Sequence, residues 1–336
     1  MTTPKGDFCC TFCGHGEAVQ HFTAEEMYFG TRDSFVYNEC GSCRSLNIET
    51  IPDNLAQYYG AGYGGHHGNP TFSTTTSGTL RQTYRNLRTD ARLGRWGSIA
   101  RRIFQRPLNQ AAAYPWKWLT IAGVSRQSSI LDIGCGAGGL LRDLHVNGFK
   151  DLHGIDKFLD RSVELPGLTI QCQDVLELTG QFDFVMMHHS LEHVPNPLAA
   201  LRHAASILTP NGVLMVRIPL ADCEAQRRFG TNWYQLDAPR HLYIPSLLGM
   251  GAIAKQAKLG LFAVDFDATP AQFFVSQGYS MGMTMVQQRT HQYSHVSPAQ
   301  LREFESLTDT ANLLHTGDQA GFFFRAMTVD DTPVID

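Results

Sequence analysis

The 336-residue chain has little net charge, formally −4 at pH 7, and neither an acidic nor a basic tail. Nothing in its overall charge therefore advertises a nucleic-acid or membrane partner. No stretch reaches the ~18 apolar residues of a membrane span, and the opening Met1-Thr2-Thr3-Pro4-Lys5-Gly6-Asp7 has no apolar run behind it. Neither a membrane helix nor a secretory signal is expected, and the protein reads as cytoplasmic. Its eight cysteines are then reduced, so any cluster of them is expected to hold metal rather than to form disulfides. What the chain does contain is enough apolar sequence for one large core and a small accessory domain.

The cysteines are grouped. Cys10-Thr11-Phe12-Cys13-Gly14 and Cys40-Gly41-Ser42-Cys43 are two C-x-x-C knuckles separated by β-rich sequence. Two thiolate pairs on tight turns can meet at one tetrahedral zinc, and a segment this short needs such a staple. Cys10, Cys13, Cys40 and Cys43 are the expected ligands of a structural zinc ribbon. Four thiolates leave no open position, so a catalytic role for the metal is not expected. Cys9 is an alternative partner for Cys13, though the tighter spacing and Gly14 favour Cys10.

The stretch Ser129-Ile130-Leu131-Asp132-Ile133-Gly134-Cys135-Gly136-Ala137-Gly138-Gly139-Leu140-Leu141 organises the rest. A short apolar strand ends in an acid, breaks into a glycine-rich turn and resumes as an apolar helix, which is how a parallel α/β sheet builds a nucleotide pocket at its carboxyl edge. Gly134, Gly136 and Gly139 satisfy a dinucleotide fingerprint, with Asp156 at the ribose offset. The acid two residues before the first glycine discriminates. An acid suits a ligand with an ammonium group, whereas a pyrophosphate wants backbone N–H donors alone. With Asp132, Gly134, Gly136 and Gly138 in these places, the turn resembles motif I of the class I S-adenosylmethionine-dependent methyltransferases.

That resemblance implies a Rossmann-like α/β fold, a seven-stranded and mostly parallel sheet with helices on both faces. It also implies cofactor contacts. Asp156 would take both ribose hydroxyls. Asp174 would meet the adenine amino group, with Val175 packed on the ring, although an aspartate after a strand is equally a helix cap. His188 and Tyr63 complete the expected cofactor contacts. The segment Glu192-His193-Val194-Pro195 resembles an element of the ubiquinone-biosynthesis-like methyltransferases. His189-Ser190-Leu191-Glu192-His193 also spells the H-x-x-E-H of zinc proteases, but that site needs a continuous helix, and Pro195 and Pro197 follow at once. No Asn-Pro-Pro-Tyr follows this strand, which argues against adenine-N6 methylation.

Around this core, residues 1–50 read as the ribbon, 51–120 as a linker and 121–336 as the methyltransferase domain. The linker begins with a Tyr/Gly-rich stretch containing Tyr63, His66 and His67, suited either to a loop closing over a ligand or to a flexible connection. From Leu80 to Phe104 the pattern is helical, with Arg81, Arg85, Arg88 and Arg92 on one face and Arg95, Arg101, Arg102 and Arg106 beyond. This is either a solvated basic face or a surface for phosphate or carboxylate.

Residues 220–246 read as an acceptor lid, in which Trp233, Tyr234, Asp237 and Arg240 are the substrate candidates. Aromatics suit a sugar or ring and Arg240 suits an anion, while a buried polar network is the alternative. The lid's Asp237-Ala238-Pro239-Arg240-His241-Leu242 resembles an element of bacterial methyltransferases associated with polysaccharide and natural-product clusters. Residues 270–315 read as inserted helices closing the cleft or forming a homodimer surface.

Methyl transfer to a hydroxyl needs a base, and His189, His193 and His241 are the candidates because imidazole titrates near neutrality. The expected function is methylation of a small polar or glycan acceptor, foremost a sugar hydroxyl in glycan or natural-product biosynthesis. Carbon or nitrogen methylation of a nucleotide sugar is the alternative, since zinc-ribbon sugar C-methyltransferases share this domain order. A ribbon gripping RNA is a third reading, against which the ribbon's acids Asp7, Glu17, Glu25, Glu26, Asp33 and Glu39 count.

Overall fold

Ile130 and Leu131 are adjacent apolar residues whose side chains leave opposite faces of the motif strand, so one can face each layer. In the computed structural model, which describes residues 8–60, 63, 79–94, 110–159 and 161–327, this pattern runs through an eight-stranded sheet. The chain first forms the antiparallel strands β1 (Ala18–Glu25), β2 (Ser34–Cys40) and β3 (Leu46–Ile48). The main sheet uses β4 (Ser129–Ile133), β5 (Asp151–Ile155), β6 (Val163–Leu165), β7 (Leu168–Gln171), β8 (Phe182–His188) and β9 (Leu208–Pro219). After helix α5 (Glu224–Phe229) and the two-residue β10 (Tyr243–Ile244) it is completed by β11 (Leu259–Phe266) and β12 (Gln319–Ala326).

The order is β11-β12-β9-β8-β4-β5-β7-β6. Strands β7, β5, β4, β8 and β9 are parallel, and β12 lies antiparallel between β9 and β11. The expected seven strands are all present. The eighth, β6, is a short antiparallel addition to the edge strand β7 that the sequence did not announce.

Two cores result. On one face Ile130, Leu152, Phe184 and Met215 pack with Trp118 and Leu119 of helix α2 (Gln110–Ile121) and Leu141 and Leu144 of α3 (Gly139–Val146). On the other, Leu131, Ile133, Val185 and Leu214 pack with α4 (Pro197–Ser206) and α6 (Leu247–Gln256). The cysteine knuckles join this second core through Cys10, Phe12, Cys40 and Cys43. Gly249 on α6 shows how close the approach is, since a Cβ there would sit 2.0 Å from Ser45 Oγ.

The sheet of the cysteine-bearing segment runs β1-β2-β3-β10, and β10 belongs to the stretch read as an acceptor lid. The arginine-rich helix is α1 (Thr79–Arg92); its expected continuation to Phe104 falls on residues 95–109, outside the described residues, as do His66 and His67. Its acid, Asp90, is held by Arg126 through two bonds of 2.9 Å, which tie α1 to the approach to β4. The insertion contains α7 (Ala271–Ser280), α8 (Met285–Thr290) and α9 (Pro298–Leu313), with capping boxes at Thr284 and Ser297. Among the described residues no helix is long and apolar enough to cross a membrane.

Candidate cofactor and acceptor site

The turn between β4 and α3 requires its glycines. Gly134, Gly136 and Gly138 have φ of +77°, +53° and +73°, the left-handed region that side chains disfavour. A Cβ on Gly134 would also lie 2.5 Å from Ser190 Cβ. Asp156 at the end of β5 accepts the Gly136 N–H at 3.0 Å and the Phe158 N–H at 2.9 Å, so it shapes the turn from the neighbouring strand. Asp132 is 3 % exposed and its Oδ1 has no protein partner. Burial first, then the nearby Asp156 charge, pushes its carboxyl up to about 7.

Two cavities meet at this turn and share Gly134 and His193. The first, about 270 Å³, is lined by Ile155, Asp156, Phe158, Asp174, Val175 and Leu176 among others. Asp174 both lines it and caps the following turn, accepting the Leu176 N–H at 3.0 Å. The second, about 470 Å³, runs from the glycine turn past His188, His189, His193 and His241 to Tyr63, Tyr234 and Asp237. A glycine cradle, an unpaired buried acid and an apolar slot ending in Val175 suit a nucleoside joined to an amino acid.

The three candidate bases differ in what their nitrogens do, with tautomers assigned from their partners. His189 is engaged at both nitrogens. Its Nδ1 donates to Glu192 Oε1 at 3.1 Å and its Nε2 accepts from Arg217 Nη1, so no lone pair is left for a substrate proton. Burial and then the Arg217 charge hold its pKa well below the usual histidine range. With both nitrogens engaged, its geometry does not match its expected place among the bases. His188 lines the same cavity, with Nε2 3.2 Å from Arg217 Nη1. Arg217 is anchored in turn by Asp267 Oδ2 at 2.5 Å.

His193 donates Nδ1–H to the Arg240 carbonyl at 2.9 Å, and Tyr59 Oη stands 3.0 Å from the same nitrogen. His241 donates Nδ1–H to the Gln235 carbonyl at 2.6 Å. Its Nε2 then carries the lone pair, 4.0 Å from Glu192 Oε1 and 3.9 Å from Asp237 Oδ2. Glu192 Oε2 is buried without a protein partner. Leu191–His193 forms a single 3₁₀ turn rather than a continuous helix, so the H-x-x-E-H spelling lacks the backbone of a protease site.

Two substrate candidates are corrected. Arg240 is fully buried: Nε and Nη2 meet Asp237 at 3.1 and 2.6 Å, Nη2 also meets Glu26 Oε1 at 2.8 Å, and Nη1 donates to the Tyr58 carbonyl at 3.0 Å. The rings of Tyr28 and Tyr63 flank it at 5.1 and 4.8 Å. Each of its nitrogens has a protein acceptor and none of its surface is open, so it is not placed to bind an acceptor anion. Burial alone would raise the Asp237 carboxyl, yet Arg240 beside it holds it down at about 2. Trp233 is also buried, donates to Asp318 Oδ2 at 3.1 Å and faces away from the cofactor cavities. Tyr234 and Asp237 do line the cleft, and Tyr63 lines it while donating to Asp237 Oδ2 at 2.6 Å.

Residues without a sequence signal complete the wall. Glu26, in the ribbon's long connection, accepts backbone N–H bonds from Tyr28, Phe29, Gly30 and Thr31 at 2.7–3.1 Å. That places Tyr28 in the cleft beside Met285 and Arg289 from α8. Among the cysteines, Cys10 Sγ lies 3.5 Å from Cys43 Sγ and Cys13 Sγ 3.6 Å from Cys40 Sγ, all four within 4.8 Å of one another. Tetrahedral zinc with ~2.3 Å Zn–S bonds sets sulfurs about 3.8 Å apart, so this donor set fits the ion. Cys9 is exposed and outside the cluster.

The strand order, the glycine turn and the paired cavities are those of a class I S-adenosylmethionine-dependent methyltransferase domain, and residues 97–261 match a family model described as a methyltransferase domain. Curated relatives are similar over part of their length. The ubiquinone biosynthesis O-methyltransferase of Bordetella avium is 28% identical over 147 residues, 38% of this chain and 60% of that protein. That of Aeromonas salmonicida is 33% identical over 124 residues, 33% of this chain and 52% of the relative. The chain thus spans about half to three-fifths of these relatives. Among solved structures, an S-adenosylmethionine-dependent methyltransferase from Mesorhizobium loti aligns with a TM-score of 0.40 at 16% identity, over 65% of this chain and 100% of that one.

Proposed function

We propose that the protein is an S-adenosylmethionine-dependent O-methyltransferase of a small polar acceptor, with a sugar hydroxyl in glycan or natural-product biosynthesis as the acceptor and His241 as the base. The observation that carries this is the His241 geometry: in a residue that lines the larger cavity, Nδ1–H is committed to the Gln235 carbonyl and Nε2 lies near two carboxylates. When bound, the cofactor supplies an electrophilic methyl group for in-line displacement. The chain's own part is to place the acceptor oxygen and receive its proton at Nε2, where Glu192 and Asp237 stabilise the resulting imidazolium. Asp132, Asp156, Asp174 and Val175 are assigned to the ammonium, ribose and adenine ends, with the glycine turn between them.

A second acceptor class, a ring hydroxyl, is favoured by the names of the curated relatives and by the tyrosines in the cleft wall. The same proposal gives the ribbon a structural zinc on Cys10, Cys13, Cys40 and Cys43, supported by their mutual separations. The deciding experiment is calorimetric titration of zinc-analysed protein with S-adenosylhomocysteine, repeated with Asp156→Ala. Micromolar binding that is lost in the variant supports the cofactor site. Absence of binding by folded wild-type protein refutes it.

A further inference from the structure

The larger cavity carries one permanent cation among its described lining residues, Arg289 on α8. It does not project at random. Nη1 donates to Tyr28 Oη at 2.7 Å, and the guanidinium carbon lies 5.3 Å from the centre of that ring. Tyr28 is held by the Glu26 turn, and the start of α8 is bonded to the same connection through Met285 N–H to the Met27 carbonyl at 3.0 Å and Val286 N–H to the Tyr28 carbonyl at 3.2 Å. Two segments outside the matched span of 97–261, one from the ribbon and one from the insertion, thus clamp this cation at the cleft. Unlike Arg240, Arg289 has no carboxylate partner among the ion pairs of the described residues, and its side chain is exposed to the cleft and to solvent.

We infer that Arg289 is an acceptor-binding residue and that the acceptor carries an oxyanion, a carboxylate or a phosphate. This rests on the methyltransferase reading and sharpens its substrate class. An arginine fork offers parallel N–H bonds to such a group. It lines the same cavity as the histidines and the glycine turn, so an acceptor held by it shares that cavity with the reacting groups. The ribbon and insertion then determine which acceptor enters, while the shared domain supplies the cofactor site.

The test uses the full chain saturated with S-adenosylhomocysteine and acceptor pairs matched except for charge. The pairs are glucose 1-phosphate against methyl glucoside, glucuronate against glucose, and 3,4-dihydroxybenzoate against 3,4-dihydroxybenzyl alcohol. Calorimetry should show the anionic member of at least one pair binding ten-fold or more tightly than its neutral partner. Arg289→Gln should abolish that preference with an unchanged melting temperature and an S-adenosylhomocysteine affinity within two-fold of wild type. The phosphate and carboxylate pairs separate the two sources of the oxyanion. Equal affinity within every pair that binds, or a preference that survives in Arg289→Gln, overturns the assignment. So does a ten-fold loss of S-adenosylhomocysteine affinity in the variant, which would give the arginine to the cofactor carboxylate. Binding of S-adenosylhomocysteine with no pair bound overturns this acceptor class while sparing the cofactor site; no binding of S-adenosylhomocysteine to the wild type strikes the methyltransferase reading itself.

Discussion

Two buried polar clusters lie side by side in this protein and differ in how completely they are satisfied. In the Glu26–Arg240–Asp237 cluster every guanidinium nitrogen has an acceptor, and Glu26 collects four backbone N–H groups besides. A few residues away, Asp132 Oδ1, Ser190 Oγ and Glu192 Oε2 are buried without protein partners. Leaving such groups unpaired costs about 1–3 kcal/mol each, so a chain keeps them near a cavity when a ligand completes them. The closed cluster fixes the wall, and the open one awaits chemistry.

Breaking the closed side should have the larger consequences. Zinc analysis should find one ion per chain, and Cys40→Ser should give metal-free, largely insoluble protein, because binding by a four-thiolate site is itself folding free energy of about 10 kcal/mol or more. A soluble, natively folded variant would show that the second core holds the knuckles unaided. Next, Arg240→Ala leaves Glu26 and Asp237 buried without the guanidinium between them, held only by the backbone N–H groups and the Tyr63 hydroxyl. It should lower unfolding free energy by about 3–5 kcal/mol in denaturant titration, whereas an anion-recognition residue would change acceptor affinity and leave stability alone.

On the open side, His241→Ala should keep the melting temperature within a few degrees and reduce kcat by about 10²–10⁴-fold. His193→Ala should cost less, because its imidazole ties Tyr59 to the Arg240 carbonyl. If alanine variants of His189, His193 and His241 all retained normal turnover, proton abstraction by these residues would be excluded.

The parts legible in the sequence are those whose signals are local. A short apolar run ending in an acid marks β4, glycines mark the turn after it, and C-x-x-C spacing marks the thiol cluster. What could not be read depends on burial and on partners distant in sequence. Arg240 and Trp233 looked like binding residues because a loop rich in Trp, Asp, Arg and His resembles a ligand site, and only folding shows that Glu26 and Asp318 take them up. The same loop donates β10 to the ribbon sheet, a pairing of two residues too short to leave a periodic trace. Glu192 stood inside a conspicuous motif, yet its place between His189 and His241 depends on the 3₁₀ turn that breaks the protease-like spelling. Tyr28 and Arg289 lie in segments with no motif at all.

The smallest expected effect tests whether Asp132 belongs to the open side. Its carboxyl is raised to about 7 by burial and then by Asp156. A carboxyl raised on folding contributes stability that is complete below the ordinary carboxylate range and is lost as pH rises through about 7. A ligand ammonium set against the unpaired Oδ1 favours the ionised form, so binding should release a proton wherever the free protein still holds one. S-adenosylhomocysteine affinity should therefore rise about three- to ten-fold from pH 6 to pH 8, with heats that vary with the buffer's ionisation enthalpy. Asp132→Asn should flatten that profile and remove the stability loss between about pH 4 and pH 7. If the wild type binds equally well at both pH values while the variant binds as tightly, Asp132 is a structural acid of the turn and the ammonium is held elsewhere.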